Sequence, residues 1–338
     1  MHGTILVVVA DTQLLNQIRR LFTKQGHEVV TVRDAYEAES AVSRARPDLV
    51  VVDADLPGTG AALVQRLKTS PETGSIPLIL ITPTPVVDER AAVADGYVGK
   101  PLRSAELASW TSALVQMRSL QVSVEQAEAT LIAIAAAVEA RSQYPPTHLR
   151  RVGDLSEQLA AARGLDEAAR RAIRTAALLR DIGNIAVPDA ILIKPGPLTP
   201  EEFALVKQHP VRGAELVRHL PSGEAISTIV RGHHEWWNGT GYPDGLKKEQ
   251  IPLGARIVAI ADAYAAHTAD RPYRAALSPE DAREILWGGG ESQWDPVLVE
   301  TFMGLADAPA GTSRQFDSPG GAAYNHGHIR QPGADEDE

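Results

Sequence analysis

The sequence contains no cysteine. Disulfides and thiolate metal sites are thereby excluded, and the composition suits a reducing cytoplasm. Any metal must be held by imidazole and carboxylate. Basic charge is also in short supply: 33 Lys and Arg stand against 43 Asp and Glu, a formal charge of −10. Proteins that grip DNA or RNA through phosphates carry a basic face, so a general nucleic-acid binder is not expected. A local basic pocket for a small anion stays open. Long apolar runs are missing too. No stretch approaches the roughly 18 residues that cross a bilayer, so no membrane partner is expected. The opening MHGTILVVVADTQ has too short an apolar run, and no basic flank, for a secretory signal.

What is present fills 338 residues, enough for about two domains at roughly 100–200 residues each. Over residues 1–103 aliphatic runs alternate with helical spacing. Thr4–Val9, His27–Val32, Asp48–Val52, Ile76–Thr82 and Tyr97–Gly99 have strand character, and Leu14, Leu15, Ile18, Leu21 and Phe22 recur at helical spacing. Apolar strands separated by helices imply an α/β fold, a doubly wound parallel sheet covered on both faces. Its ligands belong at the carboxyl ends of the strands.

From 104 to 141 the pattern is one connecting helix. Leu107, Trp110, Leu114, Met117, Leu120 and Val124 are spaced by threes and fours, like a coiled-coil seam. Such a stripe packs on its own domain or also joins two copies into a homodimer. Overlapping that helix, residues 125–306 make an all-α domain with Pro- and Gly-rich breaks. Residues 307–338 collapse into Gly, Pro, Ser and acid, the composition of a disordered tail.

In the helical domain, polar residues fall on apolar stripes. His148 shares a face with Val152, Leu155 and Leu159; Ile173, Ala177, Arg180 and Asn184 share another, with Asp181 beside them. Phe203 and Val206 lead to His209, Ile229 and Val230 to His233 and His234, and Val258 and Ala265 flank Asp262. A single His on such a stripe is more often a core residue than a ligand. Several of them, with two Asp, are costly to bury unless they pair or bind metal. Imidazole with carboxylate suits Fe, Mn, Zn or Ni.

The first domain resembles a response-regulator receiver. Asp53 ends the third strand and is followed by Leu56-Pro57-Gly58; Thr82 ends the fourth, and Lys100-Pro101 follows the fifth. The resemblance implies Asp53 as phosphoacceptor, with Thr82 and Lys100 on the phosphate, and a sensor kinase upstream. The family's Mg²⁺-holding acidic pair is Val9-Ala10 here, with Asp11 one place too far along, and the segment between Thr82 and Lys100 is short for a fourth helix. Phosphoryl transfer depends on that metal. The alternative is a receiver kept as a docking platform.

The second domain resembles the HD-GYP family of cyclic di-GMP phosphodiesterases. The motifs are His148-Leu-Arg-Arg-Val, Arg180-Asp181-Ile-Gly-Asn184, Lys207-Gln-His209-Pro, His233-His234-Glu235, Gly241-Tyr242-Pro243, Ala261-Asp262-Ala263-Tyr264 and Asp270-Arg271-Pro-Tyr-Arg274. The resemblance implies His148 and Asp262 at one metal, His209, His233 and His234 at a second, and Asp181 bridging them. It places Arg271 and Arg274 on ligand phosphates, and Gly241, Tyr242 and Pro243 in a loop that lines the site and recognises partners such as GGDEF domains. Two residues depart from the family: Arg180 stands where its first signature His would be, and Asn184 where it has Lys. A guanidinium has no lone pair and cannot ligate. Arg180 is therefore expected to pair with Asp181 or Asp262 and stand in for the first ion, leaving one divalent metal (Fe, Mn or similar). The expectation is a signalling protein that binds nucleotide or protein with catalysis impaired. The alternatives are an active phosphodiesterase with a reduced metal centre, or a dimerisation scaffold.

Overall fold

The computed structural model describes residues 2–56, 60–83, 93–142, 144–270 and 275–305. The chain divides into two compact units, Met1–Gln126 and Ala127–Glu338. In the first, five strands, β1 (Thr4–Val8), β2 (Glu28–Val32), β3 (Leu49–Asp53), β4 (Leu78–Thr82) and β5 (Gly96–Gly99), form one sheet in the order β2-β1-β3-β4-β5. Every pairing is parallel. Helices α1 (Thr12–Lys24), α2 (Ala35–Ala45) and α3 (Gly60–Thr69) lie between the strands in sequence. Side chains alternate across a strand. Leu6, Val8, Val50 and Val52 accordingly enter one core, and Ile5, Val7, Val51, Ile79 and Ile81 the other. Burial on both faces explains the unbroken aliphatic runs. The strand ends differ from the sequence reading by a residue or two: β1 stops at Val8 and β4 starts at Leu78.

Asp11 has a structural task. Its side chain caps α1 by accepting a hydrogen bond from the Leu14 N–H at 2.7 Å, worth about 1 kcal/mol. Pro57, Gly58 and the short segment around 84–92 lie outside the described residues.

Helix α4 spans Ser104–Arg141. Leu107, Leu114 and Val115 pack into the core of the first unit. Trp110, Met117, Leu120 and Val124, four residues of the same seam, are 38–59% exposed. The second unit continues with α5 (His148–Ala162), α6 (Glu167–Leu179), α7 (Asp189–Leu192), α8 (Pro200–Val206), α9 (His209–Val217), α10 (Gly223–Gly232), α11 (Leu253–His267), α12 (Pro279–Gly288) and α13 (Pro296–Met303). Its core gathers Val152, Leu159, Ile173, Ala177, Val230, Val258 and Tyr264. Starts are marked by caps: Asp166 accepts from the Ala169 N–H, and Thr199 forms a capping box with Glu202.

One sequence expectation is corrected. Arg180 and Asn184 do not share a continuous helical face. α6 ends at Leu179, Arg180 is its C-terminal cap, and Asn184 lies in a tighter 3₁₀ turn, Ile182–Ala186. Gly183 is the reason for the tight approach. A Cβ there would sit 1.9 Å from the carbonyl oxygen of His209, so the turn packs onto α9 only because this residue has no side chain.

Candidate metal centre

Most polar residues of the site sit at helix ends, and Asp262, inside α11, is the exception. His148 opens α5, Arg180 and His233 cap α6 and α10, and His209 opens α9. Helix ends let side chains from several directions converge while the apolar stripes stay in the core.

Asp181, His209, His233 and His234 bring one donor atom each within 4.8 Å of one another. The Nδ1 of His209 lies 2.8 Å from the Val206 carbonyl oxygen, and that of His233 2.6 Å from the Val230 carbonyl. A carbonyl only accepts, so both Nδ1 atoms carry the proton and both Nε2 atoms present lone pairs. Those Nε2 atoms face each other at 3.4 Å, with Asp181 Oδ1 at 3.3 and 4.0 Å. Burial and the neighbouring His209 push the His233 imidazole down to about 3, so it is neutral at physiological pH. Converging lone pairs and a carboxylate repel one another unless a cation sits among them. The donor set therefore fits one divalent ion.

Next to this cluster lies a second, built around a single guanidinium. Arg180 is 1% exposed and among the largest fully buried side chains. Its Nε is 2.8 Å from Asp262 Oδ1 and 3.3 Å from Asp181 Oδ2, and its Nη2 is 2.9 Å from Glu139 Oε1. His148 Nδ1 lies 3.4 Å from the same Glu139 oxygen. Burial works against the guanidinium charge, but Asp262, Asp181 and Glu139 outweigh it and hold Arg180 above its ordinary value. Burial would also raise Asp181; Arg180 and His209 instead hold that carboxyl well below the usual range. Glu139 is raised by burial, a rise Arg180 only partly offsets. Asn184 Nδ2 donates to Asp181 Oδ1 at 3.3 Å.

The Gly241-Tyr242-Pro243 loop is held against the cluster. The Tyr242 ring stacks on His234, centroids 4.8 Å apart. Burial raises its phenol, with Asp181 and Asp262 adding to the shift. A Cβ on Gly241 would lie 2.3 Å from the Trp236 nitrogen, so only glycine fits. Buried Glu235 anchors the loop, accepting from the backbone N–H groups of Asp244 at 2.6 Å and Leu246 at 3.0 Å. Arg231 then clamps the Asp244 carboxylate with two 2.7 Å contacts. Arg141, near the end of α4, donates to the carbonyls of Asn184 and Val187 and pairs with Asp189. Arg271 and Arg274 lie outside the described residues.

In the first unit, Lys100 Nζ lies 2.7 Å from Asp53 and 2.8 Å from Asp55. Burial opposes its charge, but the hydrogen bonds to Asp53 and Asp55 prevail and hold its ammonium above the usual value. Thr82 is buried at the end of β4, where its carbonyl accepts from the Lys100 N–H. Glu139, Glu235, Arg141 and Asp55 were not singled out by sequence reasoning. Each is an ordinary charged residue whose partner is fixed only by the fold; Glu235 alone carried a signal, its place directly after the His pair.

A receiver-type parallel sheet followed by an all-helical unit with His and Asp gathered at helix ends defines a receiver joined to a helical metal-site domain. Comparison with known proteins agrees. A family model described as an HD domain matches residues 125–298, and one described as a response regulator receiver domain matches residues 5–111. A cyclic di-GMP phosphodiesterase response regulator, RpfG of Xanthomonas campestris pv. campestris (strain 8004), is 36% identical over 301 residues, covering 80% of this chain and 78% of that protein. A probable cyclic di-GMP phosphodiesterase of Vibrio cholerae serotype O1 is 31% identical over 319 residues, covering 82% and 72%. A cyclic di-GMP phosphodiesterase of Thermotoga maritima is 42% identical over 170 residues, 49% of this chain and 46% of that protein. The chain belongs to the HD domain family, in the branch that carries a Gly-Tyr-Pro motif and follows a response-regulator receiver. Among the described residues no helix is long and apolar enough to cross a membrane.

Proposed function

We propose that this protein is a signalling response regulator whose helical domain binds a cyclic dinucleotide of the cyclic di-GMP class at a one-ion centre, with hydrolysis impaired or lost. The carrying observation is Arg180. Its guanidinium lies among Glu139, Asp181 and Asp262, and two of those are carboxylates that the family resemblance assigns to metal. A fixed positive charge there disfavours a second cation. The remaining ligand set is Asp181, His209, His233 and His234. A divalent ion held there would supply Lewis acidity toward a phosphodiester. Asp181 would be a ligand of that ion and is held ionised by Arg180; Asn184 donates to it but carries no proton to give a leaving group. His148 and Asp262 serve the Arg180 cluster rather than an ion, and Arg271 and Arg274 are assigned to ligand phosphate by resemblance. The receiver acts as a docking platform for signalling partners, with Lys100 neutralising Asp53. The exposed seam of α4 joins two copies.

The test is cyclic di-GMP turnover by the full chain loaded with Fe²⁺ or Mn²⁺, beside an Arg180→His/Asn184→Lys double variant. Wild type is expected to be silent or slower by at least about 10³-fold, and the double variant to turn over. Comparable rates would establish the second reading, a working phosphodiesterase on a reduced centre. The intact Asp181, His209, His233 and His234 cluster is the observation that favours that reading.

A further inference from the structure

A cleft opens beside the cluster, and its lining includes His233, His234, Asp262, Trp236, Gln293 and Trp294. Its cavity volume is about 40 Å³. At roughly 10–15 Å³ for each water, that is room for a few waters and too little for a whole purine, so a base presents an edge to it. The wall that carries Gln293 comes from 289–295, between α12 and α13, outside every motif that marks the metal cluster.

That wall is built to hold its shape. The Trp237 N–H donates to the Gln293 carbonyl at 3.1 Å, and the Asn238 N–H to the Ser292 carbonyl at 2.9 Å. Arg256 pairs with Asp295 and lies over the Trp237 ring, 5.6 Å from its centroid. Main-chain bonds thus fix the loop to the segment that follows the His pair. The Gln293 side chain takes no part. Among the described residues its carboxamide makes no hydrogen bond, although it faces a mostly polar cleft. A half-buried amide with donor and acceptor both unspent, on a rigid backbone beside an aromatic ring, is the arrangement that reads a planar hydrogen-bonding edge.

We propose that Gln293, with Trp236 beside it, is the base-reading residue of this site. The inference rests on the proposed cyclic dinucleotide ligand. The carboxamide oxygen accepts from guanine N1–H while its NH₂ donates to O6. Flipped, the same group serves adenine by accepting from the exocyclic amine and donating to a ring nitrogen. Gln293 therefore admits either purine. A carboxylate in its place only accepts, which suits the two adjacent N–H donors of guanine and repels the ring nitrogen of adenine.

The experiment measures equilibrium binding of cyclic di-GMP and cyclic di-AMP to the full chain loaded with Mn²⁺, by calorimetry, for wild type, Gln293→Glu and Gln293→Met. The expected result is a loss of at least about fivefold for both nucleotides in Gln293→Met, one bidentate contact. In Gln293→Glu the ratio of guanine to adenine affinity rises by at least about tenfold. Because the readout is a ratio within one protein, partial unfolding cannot imitate it. Wild-type affinities for both nucleotides in both variants overturn the assignment and leave the cyclic dinucleotide reading standing. Failure of wild type to bind either nucleotide overturns both.

Discussion

Truncating Arg180 to alanine leaves Glu139, Asp181 and Asp262 facing one another without the guanidinium that lies within 3.3 Å of each. Removing one partner of a buried ion cluster strands the rest, so a loss of about 3 kcal/mol is expected. The measurement is the urea midpoint at neutral pH. Added Mn²⁺ should stabilise the variant more than wild type, since the freed carboxylates are ligands; equal midpoints would show that the cluster contributes nothing. His233 predicts a pH dependence. Its folded value, about 3, is below the ordinary 6.5, so between those values the unfolded chain binds more protons. Stability is full above pH 6.5 and falls on acidification, by about 2 kcal/mol at pH 5. Urea midpoints of chelated protein at pH 7 and 5 check this, and His233→Gln should flatten the slope. Asp181, also depressed, adds loss in the same direction at still lower pH. At this scale the sequence pointed to a pairing of Arg180 with Asp181 or Asp262; the structure has both contacts and adds Glu139. One acid in the run Ala-Ala-Ala-Val-Glu-Ala looks solvated, and its partner is 41 residues away.

Elements were legible where one period dominated. Five aliphatic runs became five parallel strands, because burial on both faces leaves an unbroken apolar signature. Helix ends were less legible. The spacing of Ile173, Ala177, Arg180 and Asn184 continues past Leu179, yet α6 stops there. The stop depends on the close approach of Gly183 to α9, a tertiary contact that periodicity does not record. The seam of α4 was visible as spacing, but which of its residues stay uncovered was not. Leu107 and Leu114 pack inward, whereas Met117 and Leu120 are 50% and 59% exposed. If that exposed line joins two copies, Leu120→Glu puts a charge on the seam and should weaken the dimer at least about tenfold, as sedimentation would read. An unchanged dimer would place the interface elsewhere.

For the molecule as a whole, both halves of a receiver–HD architecture were legible because each rests on several motifs. The finer state of each half lies in single substitutions whose effect is spatial. In the receiver, Lys100 bridges Asp53 and Asp55, while Asp11 is committed to a helix cap. Beryllofluoride with Mg²⁺, a phosphoryl mimic, should therefore shift the thermal midpoint of the full chain by less than about 1 °C, since a ligand without its metal pocket adds little stability. A shift of several degrees would show that Asp53 takes up the mimic without the acidic pair.

The Arg180 guanidinium has one further consequence, which concerns supply. An ion in a two-metal site is borrowed from the surroundings, and its occupancy rises and falls with the free concentration of that metal. A side chain is not borrowed. Part of the positive charge at this site is written into the chain and cannot be chelated, exchanged or starved away. Its carboxylates meet a cation from the moment the domain folds, in iron-poor and iron-rich surroundings alike.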